Sequence, residues 1–180
     1  MRSYSNAAGG IKLLFIAEIV AIIGAVLALV PFVGAILSIV SLILILVGLN
    51  KASADDEGYR NAFIISIINL VVGIVSLFVG NAVFATILNI ASTILNLAMV
   101  YYVVNTTSNL AHSMGNDELP AKGHTVWMLY LICSVASVII VLLSFIPLLG
   151  AALAVVLAIV QLVAYILYLI FLSKASKALA

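Results

Sequence analysis

The sequence predicts an all-α integral membrane protein whose six transmembrane helices form three tandem αα-hairpins within a single membrane domain, residues 1–180. Composition is the first observation: 67% of the residues are hydrophobic and 7% are charged. In a soluble domain about half of the residues are apolar and about 25% are charged. The second is a set of three long apolar blocks, and the third is the confinement of charge to the segments around them. So much apolar surface requires a bilayer, because its exposure to water is unfavourable.

The three apolar blocks span residues 11–49, 62–104 and 125–172. A transmembrane helix needs about 17–25 apolar residues at about 1.5 Å per residue, so each block has the length of two spans. Proline removes an amide donor and glycine permits left-handed caps, so a turn is expected where these residues interrupt a block. The interruptions lie near the middle of the blocks, at Pro31–Gly34, Gly80–Asn81 and Pro147–Gly150.

The hairpins also resemble one another, because the Pro-x-x-Gly pattern of the first block recurs in the third. The segments that follow the hairpins are similar as well: Asn-Lys-Ala-Ser from residue 50, Asn-Thr-Thr-Ser from 105 and Ser-Lys-Ala-Ser from 173. We interpret the chain as three copies of one hairpin in parallel orientation. The alternative is chance similarity between apolar helices that draw on few residue types.

Every charged residue except Glu18 lies in the tails, at the start of the first helix, or in the predicted loops 50–61 and 105–124. All Lys and Arg residues therefore lie on one side of a six-span topology, and the positive-inside rule assigns that side to the cytosol. We expect both termini in the cytosol and the chain in a prokaryotic plasma membrane. Most Tyr residues, including Tyr130, Tyr165 and Tyr168, lie toward the same ends and are interpreted as an interfacial aromatic belt.

Five polar residues lie well inside the predicted spans and form a candidate intramembrane polar site: Glu18, Asn69, Asn96, Ser134 and Gln161. The first four lie roughly 10–14 Å from the cytosolic boundary by residue count, and Gln161 lies deeper. A carboxyl group at such a depth is typical of a binding or proton-coupling site. The alternative is that the amides connect helices by hydrogen bonds and a protonated Glu18 bonds to one of them.

Small residues at four-residue and similar spacing predict close helix packing at Ala17, Ala21 and Gly24 in the first helix and at Gly73 and Gly80 in the third. Such residues allow two backbones to approach closely inside a membrane. We expect this packing mainly within the chain, with a partner helix as the alternative.

The loops contain no pattern that indicates catalysis or metal binding. The acidic run Asp55–Glu57 is expected to complement the start of the third helix, with Ser53 as its N-cap. His112, His124 and the acids between them lack zinc-ligand spacing. A phosphate loop and a nucleophile elbow are absent from the sequence, and Cys133 is a single cysteine. We therefore expect no enzymatic activity, cofactor or metal; a net charge of +1 likewise argues against nucleic-acid binding.

The predicted function is a non-catalytic assembly, scaffold or membrane-organising subunit that packs against lipid, a second copy of itself or another membrane protein. The alternative is a small-solute transporter, channel or substrate-binding transport subunit that uses the polar layer around Glu18. Six spans in 180 residues and the ladder Ala17, Ala21, Ala25 resemble the substrate-binding components of energy-coupling-factor vitamin importers. That resemblance implies ligand capture by outer loops, although the predicted tips here are about four residues long.

Overall fold

The computed structural model describes residues 4–27, 30, 32–143 and 147–180, and within them the chain forms six α-helices. These are α1 (Ser5–Val26), α2 (Val33–Ala52), α3 (Glu57–Leu77), α4 (Ala82–Ser113), α5 (Glu118–Leu143) and α6 (Pro147–Ala178). Each of the six is long and apolar enough to cross a membrane. The prediction of an all-helical chain with six candidate spans is confirmed, and these spans indicate an integral membrane protein.

The helices extend well beyond the apolar blocks. α2 ends at Ala52 and α4 ends at Ser113, so the segments predicted as loops 50–61 and 105–124 are largely helical. The connections at this end of the bundle comprise only residues 53–56 and 114–117. Hydropathy marks the part of a helix that lipid surrounds, whereas the backbone hydrogen-bond pattern continues into the polar region without a change.

The helix starts are capped differently from the prediction. Asp56, not Ser53, is the N-cap of α3, and its side chain accepts a hydrogen bond of 2.7 Å from the Gly58 amide. Its neighbour Asp55 instead bonds to the start of α1, where it accepts from the Ala7 amide at 2.7 Å. A carboxylate satisfies amide groups that have no partner within the helix. The acidic run therefore joins α1 to the α2–α3 connection as well as starting α3.

The predicted Pro-x-x-Gly turns lie partly within helices: Phe32 precedes α2, but the glycine of each segment is helical. Gly34 is the second residue of α2, and Pro147 and Gly150 belong to the first turn of α6. Proline is common at the first position of a helix because its missing amide hydrogen needs no partner there. Pro31 lies outside the described residues. In the second block the break lies at residues 78–81, where the Asn81 side chain caps α4 by accepting from the Val83 amide at 2.9 Å.

Each helix packs on its neighbour in the chain, and α6 also contacts α1 and α4. The two ends of the chain meet at one end of the bundle, where the Tyr4 amide donates to the Leu179 carbonyl at 3.2 Å. The buried core lies toward the same end and includes Ile11, Tyr59 and Phe171. Toward the opposite end, large apolar side chains such as Phe32 and Phe78 are exposed, as lipid contact requires.

A close backbone contact joins α1 and α2 at Gly10 and Gly48. A Cβ atom added to Gly10 would overlap the Gly48 carbonyl oxygen and lie 2.7 Å from the Ala52 Cβ atom. A Cβ atom on Gly48 would lie 2.8 Å from the Gly10 carbonyl oxygen. These distances leave no room for any side chain at either position, so the two glycines set the separation of the helices.

The residues predicted to pack closely have different environments. Ala17 and Gly24 are buried in α1, and a Cβ atom on Gly24 would lie 3.0 Å from the Leu37 Cβ atom. Ala21 is partly buried. Gly73 and Gly80 face open space, because a Cβ atom added to either residue would have nothing among the described residues within 4 Å.

A buried hydrogen bond between α3 and α4 provides the first testable prediction. The hydroxyl groups of Tyr59 and Thr107 lie 2.8 Å apart, and both residues are fully buried. We expect Thr107→Val to lower the free energy of unfolding in detergent by about 1–3 kcal/mol, because it leaves the Tyr59 hydroxyl unpaired. Thr86→Val is the matched control, since the one hydrogen bond of the Thr86 hydroxyl among the described residues stays within its own helix, to the Ala82 carbonyl. Equal losses in the two variants would contradict this role.

Candidate functional site

Four helices line a cavity of about 550 Å³ that is open on one side, where lining residues such as Leu162 are exposed. α1, α4, α5 and α6 contribute its walls, and α2 and α3 contribute no described residue. Cavities that bind small molecules commonly have volumes of about 300–1,000 Å³. The polar residues among its described lining are Glu18, Thr93, Asn96, Tyr130, Cys133, Ser134, Ser137, Gln161, Tyr165 and Tyr168.

Glu18 and Tyr165 connect α1 to α6 at the wall of this cavity. The Tyr165 hydroxyl donates to the Glu18 carboxylate oxygen Oε2 at 2.6 Å, and it lies 3.0 Å from the main-chain carbonyl oxygen of Glu18. An ionised carboxylate accepts the hydroxyl hydrogen directly. A protonated carboxyl donates to the hydroxyl oxygen instead, which frees the hydroxyl hydrogen for the carbonyl oxygen. The same atomic positions therefore suit both protonation states of Glu18.

The structure brings Glu18, Asn96, Ser134 and Gln161 of the predicted polar layer to this one cavity. It does not bring Asn69 there. α3 packs on α2 and α4, so Asn69 faces α4, and its side-chain oxygen accepts a hydrogen bond of 2.6 Å from the Ser92 hydroxyl. This contact is the interhelical bond that the alternative interpretation of the amides predicts.

The two amides in the cavity differ in their hydrogen bonds. Gln161 donates from Nε2 to the Ser137 hydroxyl at 2.9 Å, and that hydroxyl donates to the Cys133 carbonyl at 2.8 Å. Asn96 is exposed on the cavity wall and forms no side-chain hydrogen bond within the part of the chain that the structure describes. Its amide is therefore available to a bound molecule as both donor and acceptor.

Three tyrosines that the sequence predicts in an interfacial belt line the cavity instead. They are Tyr130 of α5 and Tyr165 and Tyr168 of α6. The rings of Tyr130 and Tyr168 pack edge to face, with centroids 5.5 Å apart. Tyr168 is 1% exposed, and its hydroxyl has no hydrogen-bond partner among the described residues.

The sequence contains a signal that would have identified the two tyrosines of α6. Ala158, Gln161, Tyr165 and Tyr168 recur at spacings of three and four residues, and the structure has all four on the cavity wall. Residues with this spacing share one face of a helix. Their depth in the membrane, taken alone, assigns the tyrosines to the interface. Depth does not show which side of the helix a residue faces, so it does not show that these residues face the cavity.

Among the described residues, no group of three or more His, Cys, Asp and Glu side chains is arranged to hold a metal ion. Comparison of the chain with protein families, curated proteins and solved structures finds no match. The resemblance to vitamin importers therefore still depends only on length, span number and the alanine ladder, and the cavity has to be interpreted from its own chemistry.

Proposed function

We propose that this chain binds a small polar molecule within the membrane and acts as a non-catalytic solute-binding or transport protein. The cavity beside Glu18 is the observation that supports this proposal most directly. A scaffold that works only through helix packing does not require an open cavity with a polar lining. The Asn96 amide, which lines the same cavity as Glu18 and forms no side-chain hydrogen bond among the described residues, favours a ligand, because polar groups are costly at this depth unless they have a partner.

We further propose that the helices form three tandem hairpins, α1–α2, α3–α4 and α5–α6, with both termini in the cytosol of a prokaryotic cell. The packing of each pair and the meeting of the two chain ends at one end of the bundle support this arrangement. The Lys and Arg residues of the connections and tails support the orientation. In this topology Glu18 lies nearer the cytosolic side.

Native mass spectrometry of the protein in mild detergent tests the proposed function. We expect the wild-type protein to retain one small molecule and the Glu18→Gln variant to retain at least about tenfold less, because one charged hydrogen bond contributes roughly 1.5–3 kcal/mol. Asn69→Ala is the control: it removes an intramembrane polar group that lies outside the cavity, so its occupancy should match the wild type. A wild-type protein without any bound small molecule contradicts the proposal.

Assembly with a second copy or another membrane protein is the second candidate function. The open space at Gly73 of α3 supports it, because a Cβ atom there would have nothing within 4 Å among the described residues, which allows a foreign helix to approach α3 closely. The same mass spectra report on this candidate. A defined oligomer or a stoichiometric protein partner, with an empty cavity, would favour assembly over solute binding.

A further inference from the structure

We propose that the ligand of the cavity is a small protonated organic amine, held between the Glu18 carboxylate and the rings of Tyr130 and Tyr165. This inference rests on the proposed function and adds the chemical class of the bound molecule. It follows from the balance of charge, from the aromatic surfaces and from the hydrogen-bonding groups that the protein leaves unused.

The charge of the lining favours a cation. Among the described residues that line the cavity, Glu18 is the one Asp or Glu, and Lys, Arg and His do not occur. In the sequence every Lys, Arg and His lies in the tails, in the connections or near helix ends, apart from Lys12, six residues before Glu18. An anionic ligand would find a like charge and no counter-charge. A cationic ligand would supply the opposite charge that an intramembrane carboxylate needs.

The aromatic surfaces favour an organic cation over a bare metal ion. Tyr130 of α5 and Tyr165 of α6 line the cavity and are only partly buried, so two helices contribute rings to it. A cation within about 6 Å of a ring centroid is attracted by the negative face of the ring, and this attraction is stronger where water is excluded. Sites that combine aromatic rings with a carboxylate therefore suit ammonium groups that carry apolar substituents.

The unused hydrogen-bonding groups favour an amine that still carries N–H donors. The second carboxylate oxygen of Glu18, Oε1, has no hydrogen-bond partner among the described residues, since Tyr165 bonds to Oε2. The Asn96 amide oxygen and the Ser134 hydroxyl oxygen are further acceptors on the wall and are also unused within the described chain. A protonated primary or secondary amine supplies two or three donors for these oxygens, whereas an alcohol supplies one and a carboxylate none.

Equilibrium dialysis of the purified protein against three probes of matched shape tests this inference. The probes are benzylamine, benzyl alcohol and benzoate, with protein-free micelles as the blank. We expect benzylamine to bind at least about tenfold more tightly than benzyl alcohol and benzoate to show no binding above the blank. In Glu18→Gln the preference for the amine should disappear, and in Asn69→Ala it should persist.

Tyr130 variants test the aromatic contribution without altering the carboxylate. Tyr130→Phe keeps the ring and should preserve the preference for benzylamine, whereas Tyr130→Leu should reduce it about three- to fivefold. The comparison of the three probes is made on the wild-type protein, so it still tests the inference if a variant fails to fold.

The outcomes separate this inference from the proposed function. Tighter binding of benzyl alcohol or benzoate than of benzylamine would overturn the amine assignment while leaving solute binding intact. If none of the three probes binds and the molecule retained in the native mass spectrum is neutral or anionic, the amine assignment is also overturned. If no probe binds and the wild-type protein retains no molecule, both the inference and the proposed function fail.

Discussion

Gly48→Val is expected to destabilise the bundle by about 3 kcal/mol, the upper end of the cost of overpacking a core. The Cβ atom alone would lie 2.8 Å from the Gly10 carbonyl oxygen and 3.1 Å from the Leu13 Cβ atom. The nearest of these atoms belongs to the backbone, so no rotamer change relieves the contact. The helices must move apart, and α1 loses part of the packing that holds Ile11 and Leu14 in the core. Thermal unfolding in detergent, followed by circular dichroism, measures the loss.

Gly73→Val is the matched control for this experiment. It makes the same chemical change within another transmembrane helix, but a Cβ atom on Gly73 would have nothing within 4 Å among the described residues. We expect its stability to equal that of the wild type or to rise slightly, because glycine within a helix carries an entropic cost. If Gly73→Val is destabilised as strongly as Gly48→Val, the close α1–α2 contact is not the cause.

The number and approximate position of the helices could be predicted from the sequence because hydropathy and helix length are fixed by the same bilayer thickness. The helix ends could not. Asn50, Lys51 and Ala52 are polar or small, yet α2 continues through them, since a helix needs only its own backbone bonds. The Pro-x-x-Gly segments are predicted as turns because proline and glycine interrupt helices. Proline also occurs at the first position of a helix, however, so the same residue can mark a helix start.

The candidate site was predictable in depth and not in direction. Counting residues from the boundary places Glu18, Asn96 and Ser134 at a similar level, and the cavity lies at that level. The same count includes Asn69, which faces α4 and bonds to Ser92. Whether a polar residue at this depth reaches the cavity depends on which helices are neighbours in the bundle. A single sequence does not show these neighbours, such as the α1–α6 contact that brings Tyr165 to Glu18.

The glycine contact was not predictable for a related reason. Small-residue spacing identifies a helix face that permits close approach, and it therefore selects Gly73 and Gly80. Close approach also requires a partner helix with a small residue at the same height. Gly10 and Gly48 meet this requirement because α1 and α2 are antiparallel neighbours, with Gly10 near the start of one helix and Gly48 near the end of the other.

Ala158→Phe is expected to abolish ligand retention while the protein stays folded. Ala158 is an exposed side chain on the cavity wall, on the same face of α6 as Gln161 and Tyr165. A phenyl ring there occupies space that a ligand needs but removes no polar group, so Glu18 keeps its bond to Tyr165. We expect occupancy in the native mass spectrum to fall at least about tenfold, with thermal stability equal to or above that of the wild type, because filling an internal space adds apolar contacts.

Val156→Phe provides the control on the same helix. Val156 lies two residues earlier, which turns it about 160° around the axis at 3.6 residues per turn, and it is 60% exposed and absent from the cavity lining. Its ligand occupancy should equal that of the wild type. Because Ala158→Phe leaves every polar group in place, it distinguishes a space that holds a ligand from a carboxyl group that only supports the fold. Unchanged occupancy in Ala158→Phe would mean that the retained molecule binds elsewhere, and the function of Glu18 would then be to hold α1 against α6.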